Sequence, residues 1–486
     1  MKKFVSILLA LAMILAMSTT AFAAENTTLT ISNAEGRTFN GYKLLNLTTS
    51  LNCTDTTHTH DSDCYNYAYT VNDTYKTILQ KEAGSADILE YLQGQTKGTY
   101  GTLRAVAESV YREILKADIT PDAANLDGSD TIAQGYWLFA DVTNLSGKED
   151  KANSLVMIDT KGQDALTINP KVGLPSIEKK VQDTNDTTGE TSGWQDSADY
   201  DIGDPVPFQL TVTMPENLAY YETYAITIHD TLSEGLTLDE DSIVVKAGNT
   251  TVTGFTYAAG ENGKFTLTCN DVLEIEGVDK DTVFVVTYNA TLNDNAEIGA
   301  AGNSNEVYLQ FSNNPYGDTT GKTKADKVIV FTYKLVINKT DTDGNALKGA
   351  GFILYKKNAD GTYDQIGDEL KGDNMTTFEW EGLDDGDYKL EEKTVPSGYN
   401  KMADIEFTIT AEHSREADDP ALTSLTSTFG TVDGGVITES VVNQTGTILP
   451  ETGAKGTMML IACSSMFVMV AVVFMVTRKK MSIYED

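Results

Sequence analysis

The chain has 486 residues, of which 36 are basic and 71 acidic, so its formal net charge at pH 7 is −35. An exterior this acidic excludes nucleic acid as the main partner and predicts a soluble protein. The chain contains only four histidines. It carries no nucleophile elbow and no carboxylate dyad, so we expect neither an enzyme nor a cofactor. Its length suggests two to four domains.

The N-terminus has the pattern of a secretory signal peptide. Two lysines precede an apolar run over residues 4–17, and the small-residue sequence Ala21-Phe22-Ala23 follows. A charged start, a short apolar core and a small-residue cleavage site are typical of exported chains. We therefore expect residues 1–23 to be removed and the folded part to lie outside the membrane.

A polar segment after the first predicted strands holds two cysteines and two histidines. Cys53, His58, His60 and Cys64 fall within twelve residues, but their spacing does not match the usual zinc pattern. In an oxidising compartment, two cysteines so close in sequence favour a disulfide. We predict a Cys53–Cys64 bond closing a surface loop, and no metal site.

Hydrophobic patterning divides the exported chain into three parts. Residues 24–171 combine strand-like sequence with a predicted helix that ends near Lys116. Apolar residues recur in this helix at spacings of three and four residues. The mixture predicts an α+β domain. In residues 172–325, apolar and polar residues alternate through nearly every segment, which predicts strands and an antiparallel sandwich. A hydrophilic stretch, Asn313 to Asp326, is expected to link it to a second all-β unit, residues 326–447.

The C-terminal segment, residues 448–486, combines a short motif, an apolar run and basic residues. Residues 457–476 are uncharged and long enough to cross a bilayer as a helix, and the basic cluster behind them would stay in the cytoplasm. The motif before them is Leu449, Pro450, Glu451, Thr452 and Gly453. The three parts together resemble the cell-wall sorting signal of Gram-positive surface proteins, in which a sortase cleaves between the Thr and the Gly. The alternative is an ordinary membrane anchor.

The third unit carries a more specific likeness. Residues 388–392, Tyr-Lys-Leu-Glu-Glu, and residues 394–399, Thr-Val-Pro-Ser-Gly-Tyr, resemble the E-box of sortase-assembled pilins, with Val395 in place of the usual Ala. Residues 335–341 resemble the first strand of the collagen-adhesin B-type domain. The chain is thereby identified as a major (shaft) pilin of Gram-positive bacteria. The resemblance implies a mainly β fold: an α+β domain followed by two immunoglobulin-like sandwiches, collagen-adhesin A-like and B-like.

The resemblance also implies an internal cross-link in the third domain, between Lys339 and Asn443 with Glu392 as the promoting acid. Burial disfavours charge, so the lysine tends towards a nucleophilic amine and the glutamate towards a protonated acid. Attack of the amine on the Asn443 amide expels ammonia and leaves an isopeptide bond. Folding supplies the proximity, so the reaction needs no cofactor.

In the middle domain, three strands resemble those that bear the same groups in the family. They assign Lys179 as amine, Asp230 as acid and Asn305 as amide. Lys180 and Asn303 remain as alternatives, because adjacent residues face opposite sides of a strand.

A shaft pilin also needs an acceptor lysine at the end of its first domain. Residues 166–171, Leu-Thr-Ile-Asn-Pro-Lys, match the Pro-Lys and the alternation of the family's motif. They depart from it at Asn169, where the family has Tyr, and at Gly162, where it has Trp. The resemblance assigns Lys171 as the acceptor.

The function implied is that of a structural subunit of a surface pilus, joined by a sortase from Thr452 to Lys171 of the next subunit. Expected partners are pilus-specific and housekeeping sortases, identical subunits, minor pilins and peptidoglycan. The chain would be inserted in the membrane transiently and then anchored to the cell wall. The alternative is a monomeric wall-anchored adhesin or a minor pilin.

Overall fold

The structure, a computed structural model, describes residues 26–32, 36–53, 64–97, 101–145, 151–170 and 173–446. These residues form a mainly β chain of successive sheets, with helices among the N-terminal strands. The predicted fold class is confirmed.

The N-terminal part packs helices against a sheet. Its elements are β1 (Asn26–Ile31), β2 (Phe39–Leu51), β3 (Tyr65–Val71), α1 (Lys76–Ala83), α2 (Ile88–Gln93), α3 (Thr102–Lys116), β4 (Ala123–Leu126), β5 (Ser129–Ala133), β6 (Gly135–Asp141), β7 (Leu155–Asp159) and β8 (Ala165–Ile168). One sheet has the order β5-β1-β8, and the other has β3-β2-β6-β7 with β4 also on β2. The apolar face of α3 is buried in the core through Val106, Val110 and Ile114.

The middle part is a two-sheet sandwich. Its strands are β9 (Ser176–Val181), β10 (Thr184–Asn185), β11 (Glu190–Thr191), β12 (Ser197–Asp199), β13 (Pro205–Thr213), β14 (Ile226–Leu232), β15 (Leu236–Ala247), β16 (Thr250–Thr251), β17 (Thr256–Ala259), β18 (Lys264–Cys269), β19 (Val283–Leu292), β20 (Asn303–Ser312), β21 (Thr320–Lys322) and β22 (Asp326–Phe331). One sheet has the order β16-β15-β19-β13-β9; the other has β12-β22-β20-β14-β18-β17, with β21 on β20. Short 3₁₀ turns lie at Leu218–Tyr220 and Val272–Glu274. Buried residues alternate strictly with less buried ones along β13 and β19, and the buried side chains fill the space between the sheets.

The third part is also a sandwich. Its strands are β23 (Tyr333–Thr340), β24 (Gly351–Lys357), β25 (Tyr363–Lys371), β26 (Thr377–Leu383), β27 (Gly386–Thr394), β28 (Ile405–His413), β29 (Leu422–Ser427), β30 (Thr431–Asp433) and β31 (Val436–Val442). The sheets have the orders β26-β23-β31-β30 and β25-β24-β27-β28-β29. The first and last strands, β23 and β31, pair in parallel. The two chain ends of this sandwich therefore leave from opposite ends of one strand pair.

The strand β22 connects the two sandwiches and serves both cores. It hydrogen-bonds to β20 and β12 in the middle sheet, although the sequence placed the boundary just before it, at residue 325/326. Val328 and Val330 face the middle core, whereas Ile329 and Phe331 face the third. The chain changes sheets at Thr332, and we propose the domain boundary there.

The stretch expected to be a hydrophilic linker is packed structure, so that expectation is wrong. Residues 320–322 form β21 on the edge of β20. Tyr316 packs against the N-terminal core and its ring meets Tyr111 edge-on, with centroids 4.7 Å apart. Its hydroxyl donates to Glu108 of α3. The stretch therefore fastens the middle sandwich to the N-terminal part.

Candidate functional site

Three side chains predicted for the middle domain meet between its sheets. Lys179 lies on β9 of one sheet, and Asp230 and Asn305 lie on the neighbouring strands β14 and β20 of the other. Each occupies an inward position of its strand, where an apolar residue would otherwise stand. All three are at most 1% exposed.

The lysine amine touches both of its expected partners. Lys179 Nζ lies 2.8 Å and 2.7 Å from the two carboxylate oxygens of Asp230. It also donates to Asn305 Oδ1 at 2.5 Å. A nucleophile, an acid and a side-chain amide are thus held within hydrogen-bond reach and buried from solvent, as covalent chemistry between them requires.

Burial shifts both titrating groups towards their neutral forms. Removal from water lowers the pKa of Lys179 to about 8, although the Asp230 charge opposes that change. Removal from water likewise raises the pKa of Asp230, with Lys179 acting in the opposite direction. Both shifts favour transfer of a proton from the ammonium to the carboxylate, so a neutral amine facing a neutral acid becomes accessible within the buried pair.

A fourth side chain, Tyr288 of β19, completes the site and was not anticipated from the sequence. Its hydroxyl donates to Asp230 Oδ2 at 2.8 Å and accepts from Asn305 Nδ2 at 2.9 Å. Lys179 Nζ is also 2.8 Å from it. The sequence held one indication of this role. Among the inward-facing residues of β19, which are otherwise Phe, Val, Ala and Leu, Tyr288 alone carries a polar group.

The alternative residues have other contacts. Lys180 points to the opposite side of β9 and pairs with Asp196 at 2.5 Å. Asn303 is buried, but its amide closes a turn by bonding both backbone groups of Glu297. The geometry therefore favours Lys179 and Asn305 over these two.

The third domain brings its predicted groups to one end of the β23–β31 pair. Lys339, Glu392 and Asn443 are each at most 1% exposed. Asn443 Nδ2 donates to Glu392 Oε2 at 2.9 Å and to the Asn400 carbonyl at 2.6 Å. Lys339 Nζ instead donates to the backbone carbonyls of Thr340 and Val441, both at 2.9 Å. Acid and amide thus touch, while the amine lies beside them on the adjacent strand.

This second site retains unused bonding capacity. Among the described residues, Glu392 Oε1 and Asn443 Oδ1 are buried without a hydrogen-bond partner. Burial lowers the pKa of Lys339 to about 8, with the Glu392 charge opposing the change. A buried polar atom without a partner is costly, so a change of Lys339 rotamer that brings its amine to Asn443 would relieve part of that cost.

The two cysteines predicted to pair lie at the loop end of the β2–β3 hairpin. The backbone N–H of Asn52 donates to the carbonyl of Cys64 at 2.9 Å, which continues the ladder one residue beyond Leu51–Tyr65. This hydrogen bond places Cys64 opposite Asn52, and Cys53 is the next residue along the chain. The disulfide stays a prediction, and the residues between them, with both histidines, lie outside the described part.

Several predicted features fall outside the described residues. These are the signal peptide, Lys171, the motif Leu449–Gly453 and the apolar run 457–476. Pro170, immediately before the acceptor lysine, ends the described N-terminal part. Among the residues that the structure describes, no helix has the length and apolar character to cross a bilayer.

A charged joint lies between the middle and third sandwiches. His413 Nε2 is 3.4 Å from Asp183 and 3.5 Å from Asp199. Burial alone would lower the pKa of His413, but the two carboxylates raise it to about 9. Nearby, Lys356 pairs with Asp186, Asp201 and Asp384. The histidine and its two aspartates could also hold a metal ion, but the imidazolium already supplies positive charge there.

Comparison with known proteins gives a family match for the third domain. Residues 333–419 match the family described as SpaA, prealbumin-like fold domain. The chain is also 26% identical over 254 residues to the trypsin-resistant surface T6 protein of Streptococcus pyogenes serotype M6. That alignment covers 47% of this chain and 44% of the T6 protein, so the match spans less than half of the curated relative.

The fold as a whole is similar to that of one solved pilin in particular. The T6 backbone pilin of serotype M6 S. pyogenes, described as a modular three-domain structure, superposes with a TM-score of 0.53 at 17% identity, covering 87% of this chain and 98% of that one. The major pilin SpaD of Corynebacterium diphtheriae gives a TM-score of 0.46 at 15% identity, over 87% and 98% of the two chains. The relatives of this chain, in sequence and in structure, are backbone pilins of Gram-positive bacteria.

Proposed function

We propose that this chain is the shaft subunit of a covalent surface pilus. A sortase would cleave after Thr452 and join that residue to Lys171 of the next subunit, and the last subunit would be attached to peptidoglycan. The three-domain fold and the T6 relative support the shaft role. The sorting motif with its apolar run and basic residues supports the sortase step.

The observation that carries the proposal is the contact of a fully buried amine with a buried amide, Lys179 Nζ to Asn305 Oδ1 at 2.5 Å. In the neutral pair, the amine attacks Cγ of Asn305 and the C–Nδ2 bond breaks. Nζ gives up one proton, Nδ2 gains one and leaves as ammonia, and Asp230 ends as it began. The product is an amide bond between the two sheets of the middle sandwich.

The same reaction in the third domain would join Lys339 to Asn443. Glu392 already contacts the leaving nitrogen at 2.9 Å. Lys339 sits near the end of β23, and Asn443 follows β31, its parallel neighbour. Because tension enters along one of these strands and leaves along the other, a bond between their ends would prevent them from sliding apart.

The sortase step is tested in the native host by Lys171→Ala, with Lys161→Ala in an exposed turn of the same domain as the control. Wild type and Lys161→Ala should give a ladder of covalent polymers on denaturing gels. Lys171→Ala should give monomer only. A persisting ladder would refute the acceptor assignment, and absence of a ladder in wild type would favour the monomeric adhesin.

Self-modification is tested by the mass of the mature protein. Each bond releases one ammonia, so the mass should fall by about 17 Da for each of two bonds. Peptides that join Lys179 to Asn305 and Lys339 to Asn443 should appear after digestion. A chain with the full mass of its sequence would contradict both assignments.

A further inference from the structure

The leaving nitrogen of the middle site touches a phenol and not the carboxyl group. Asn305 Nδ2 donates to the Tyr288 hydroxyl at 2.9 Å, and that hydroxyl donates to Asp230 Oδ2 at 2.8 Å. In the third domain the longer Glu392 reaches the corresponding nitrogen of Asn443 directly, at 2.9 Å. The tyrosine hydroxyl thus occupies the gap that the shorter aspartate leaves.

We propose that Tyr288 is a catalytic residue of the middle domain that relays a proton from Asp230 to the departing nitrogen of Asn305. The proposal rests on the isopeptide reaction proposed above and adds a proton path to it. In the third domain the acid would serve the leaving nitrogen without a relay.

The relay balances in protons and bonds. The neutral pair carries the carboxyl proton on Asp230 Oδ2, which reverses its hydrogen bond with the Tyr288 hydroxyl. Lys179 Nζ attacks Cγ of Asn305 and gives one proton to Asp230 Oδ1, 2.8 Å away, as the carboxyl group releases its own proton from Oδ2. That proton passes from Oδ2 to the Tyr288 oxygen while the Tyr288 hydroxyl gives its own proton to Nδ2. The C–Nδ2 bond then breaks and ammonia leaves. Asp230 and Tyr288 return to their starting protonation states.

The surroundings of Tyr288 suit this role. Its ring is stacked on Phe208, with centroids 5.4 Å apart, and meets Phe265 edge-on at 5.5 Å. These contacts fix the hydroxyl without using its hydrogen-bonding capacity. Burial raises the pKa of Tyr288 well above its ordinary value. The hydroxyl therefore stays protonated, so it can transfer a proton only by giving and receiving one together.

The test compares Tyr288→Phe with Tyr224→Phe, which removes the hydroxyl of another buried tyrosine of the same sandwich. Full chains are made by cell-free synthesis with detergent, quenched in denaturant at intervals and digested. The Lys179–Asn305 and Lys339–Asn443 peptides are then counted. The rate at which the Lys339–Asn443 peptide appears serves as an internal reference, because it is measured in the same molecules.

Tyr288→Phe should slow formation of the Lys179–Asn305 bond by about 100-fold or more, the usual contribution of acid–base catalysis. It should leave the rate of Lys339–Asn443 bond formation unchanged. Tyr224→Phe should leave both rates unchanged. Formation of the middle bond in Tyr288→Phe at the wild-type rate would overturn the relay. Absence of that bond in wild type would instead refute the underlying reaction.

Limited proteolysis reports whether the middle sandwich of Tyr288→Phe folds. If it does not, the decision passes to the wild-type chain folded in D₂O. The relay moves two protons together, so the Lys179–Asn305 bond should be slowed more than the Lys339–Asn443 bond, and equal slowing of the two bonds overturns the relay.

Discussion

Replacing Asn305 by alanine would remove the proposed middle cross-link with little other disturbance. The variant keeps Lys179 paired to Asp230, 2.7 Å away, and to the Tyr288 hydroxyl. Replacing Lys179 or Asp230 instead would leave the other charge buried without its partner, which is itself strongly destabilising. Asn305→Ala therefore isolates the contribution of the bond better than either.

The expected loss follows from the length of chain that the bond closes. Lys179 and Asn305 are 126 residues apart, and a cross-link of that span is worth about 5 kcal/mol in the chain-entropy model. Loss of the Asn305–Tyr288 hydrogen bond adds about 1 kcal/mol. For a domain of this size, a loss of 5 kcal/mol lowers the melting temperature by about 10–20 °C.

The assay is denaturant unfolding followed by intact mass. The matched control is Asn303→Ala, an equally buried asparagine two residues away on the same face of β20. The control loses hydrogen bonds worth about 1–3 kcal/mol and keeps the bond. Wild type loses one ammonia when the middle bond forms, and Asn305→Ala does not. After correction for the substitution, the variant should therefore be about 17 Da heavier than wild type. If Asn305→Ala is no less stable than Asn303→Ala, the reasoning fails.

Three further outcomes are expected. Glu392→Ala should leave the third-domain bond unformed and the middle bond intact, seen as the loss of one cross-linked peptide only; loss of both would contradict independent sites. The pKa of His413 is raised from 6.5 to about 9, so its contribution to stability is full below pH 6.5 and disappears as the pH rises through 9. His413→Gln should abolish that part of the pH dependence of the melting temperature, and an unchanged profile would count against the ion pairs. Without reductant, Cys53 and Cys64 should resist alkylation in the exported protein, and modification of both would exclude the disulfide.

Local patterns predicted much of the architecture because strands and helices bury one face. Apolar residues at spacings of three and four predicted α3, and alternation of apolar and polar residues over 207–213 predicted β13. The lysines, acids and amides of both candidate sites were assigned from motifs that resemble a known family. The sequence did not show which strand positions face inward, so Lys180 and Asn303 stayed open as alternatives.

The remaining features depend on contacts that local patterns do not encode. The run Val328–Phe331 is apolar at every position because alternate residues enter different cores. The sequence therefore indicated a strand there but not its sheet. Tyr288 reads as an ordinary core residue until Asp230 and Asn305 are seen beside it. His413 gains its partners, Asp183 and Asp199, from segments more than two hundred residues earlier, and no spacing rule connects them.

The position of the two proposed cross-links also changes what a cut in the chain would do. With Lys179 joined to Asn305, cleavage at any exposed loop between them opens a closed ring and leaves two arms still covalently attached. The same holds between Lys339 and Asn443. The shortest covalent route along the subunit then bypasses most of both sandwiches. A proteinase that nicks those loops would leave the fibre in one piece, so only the segments outside the rings need to be protected.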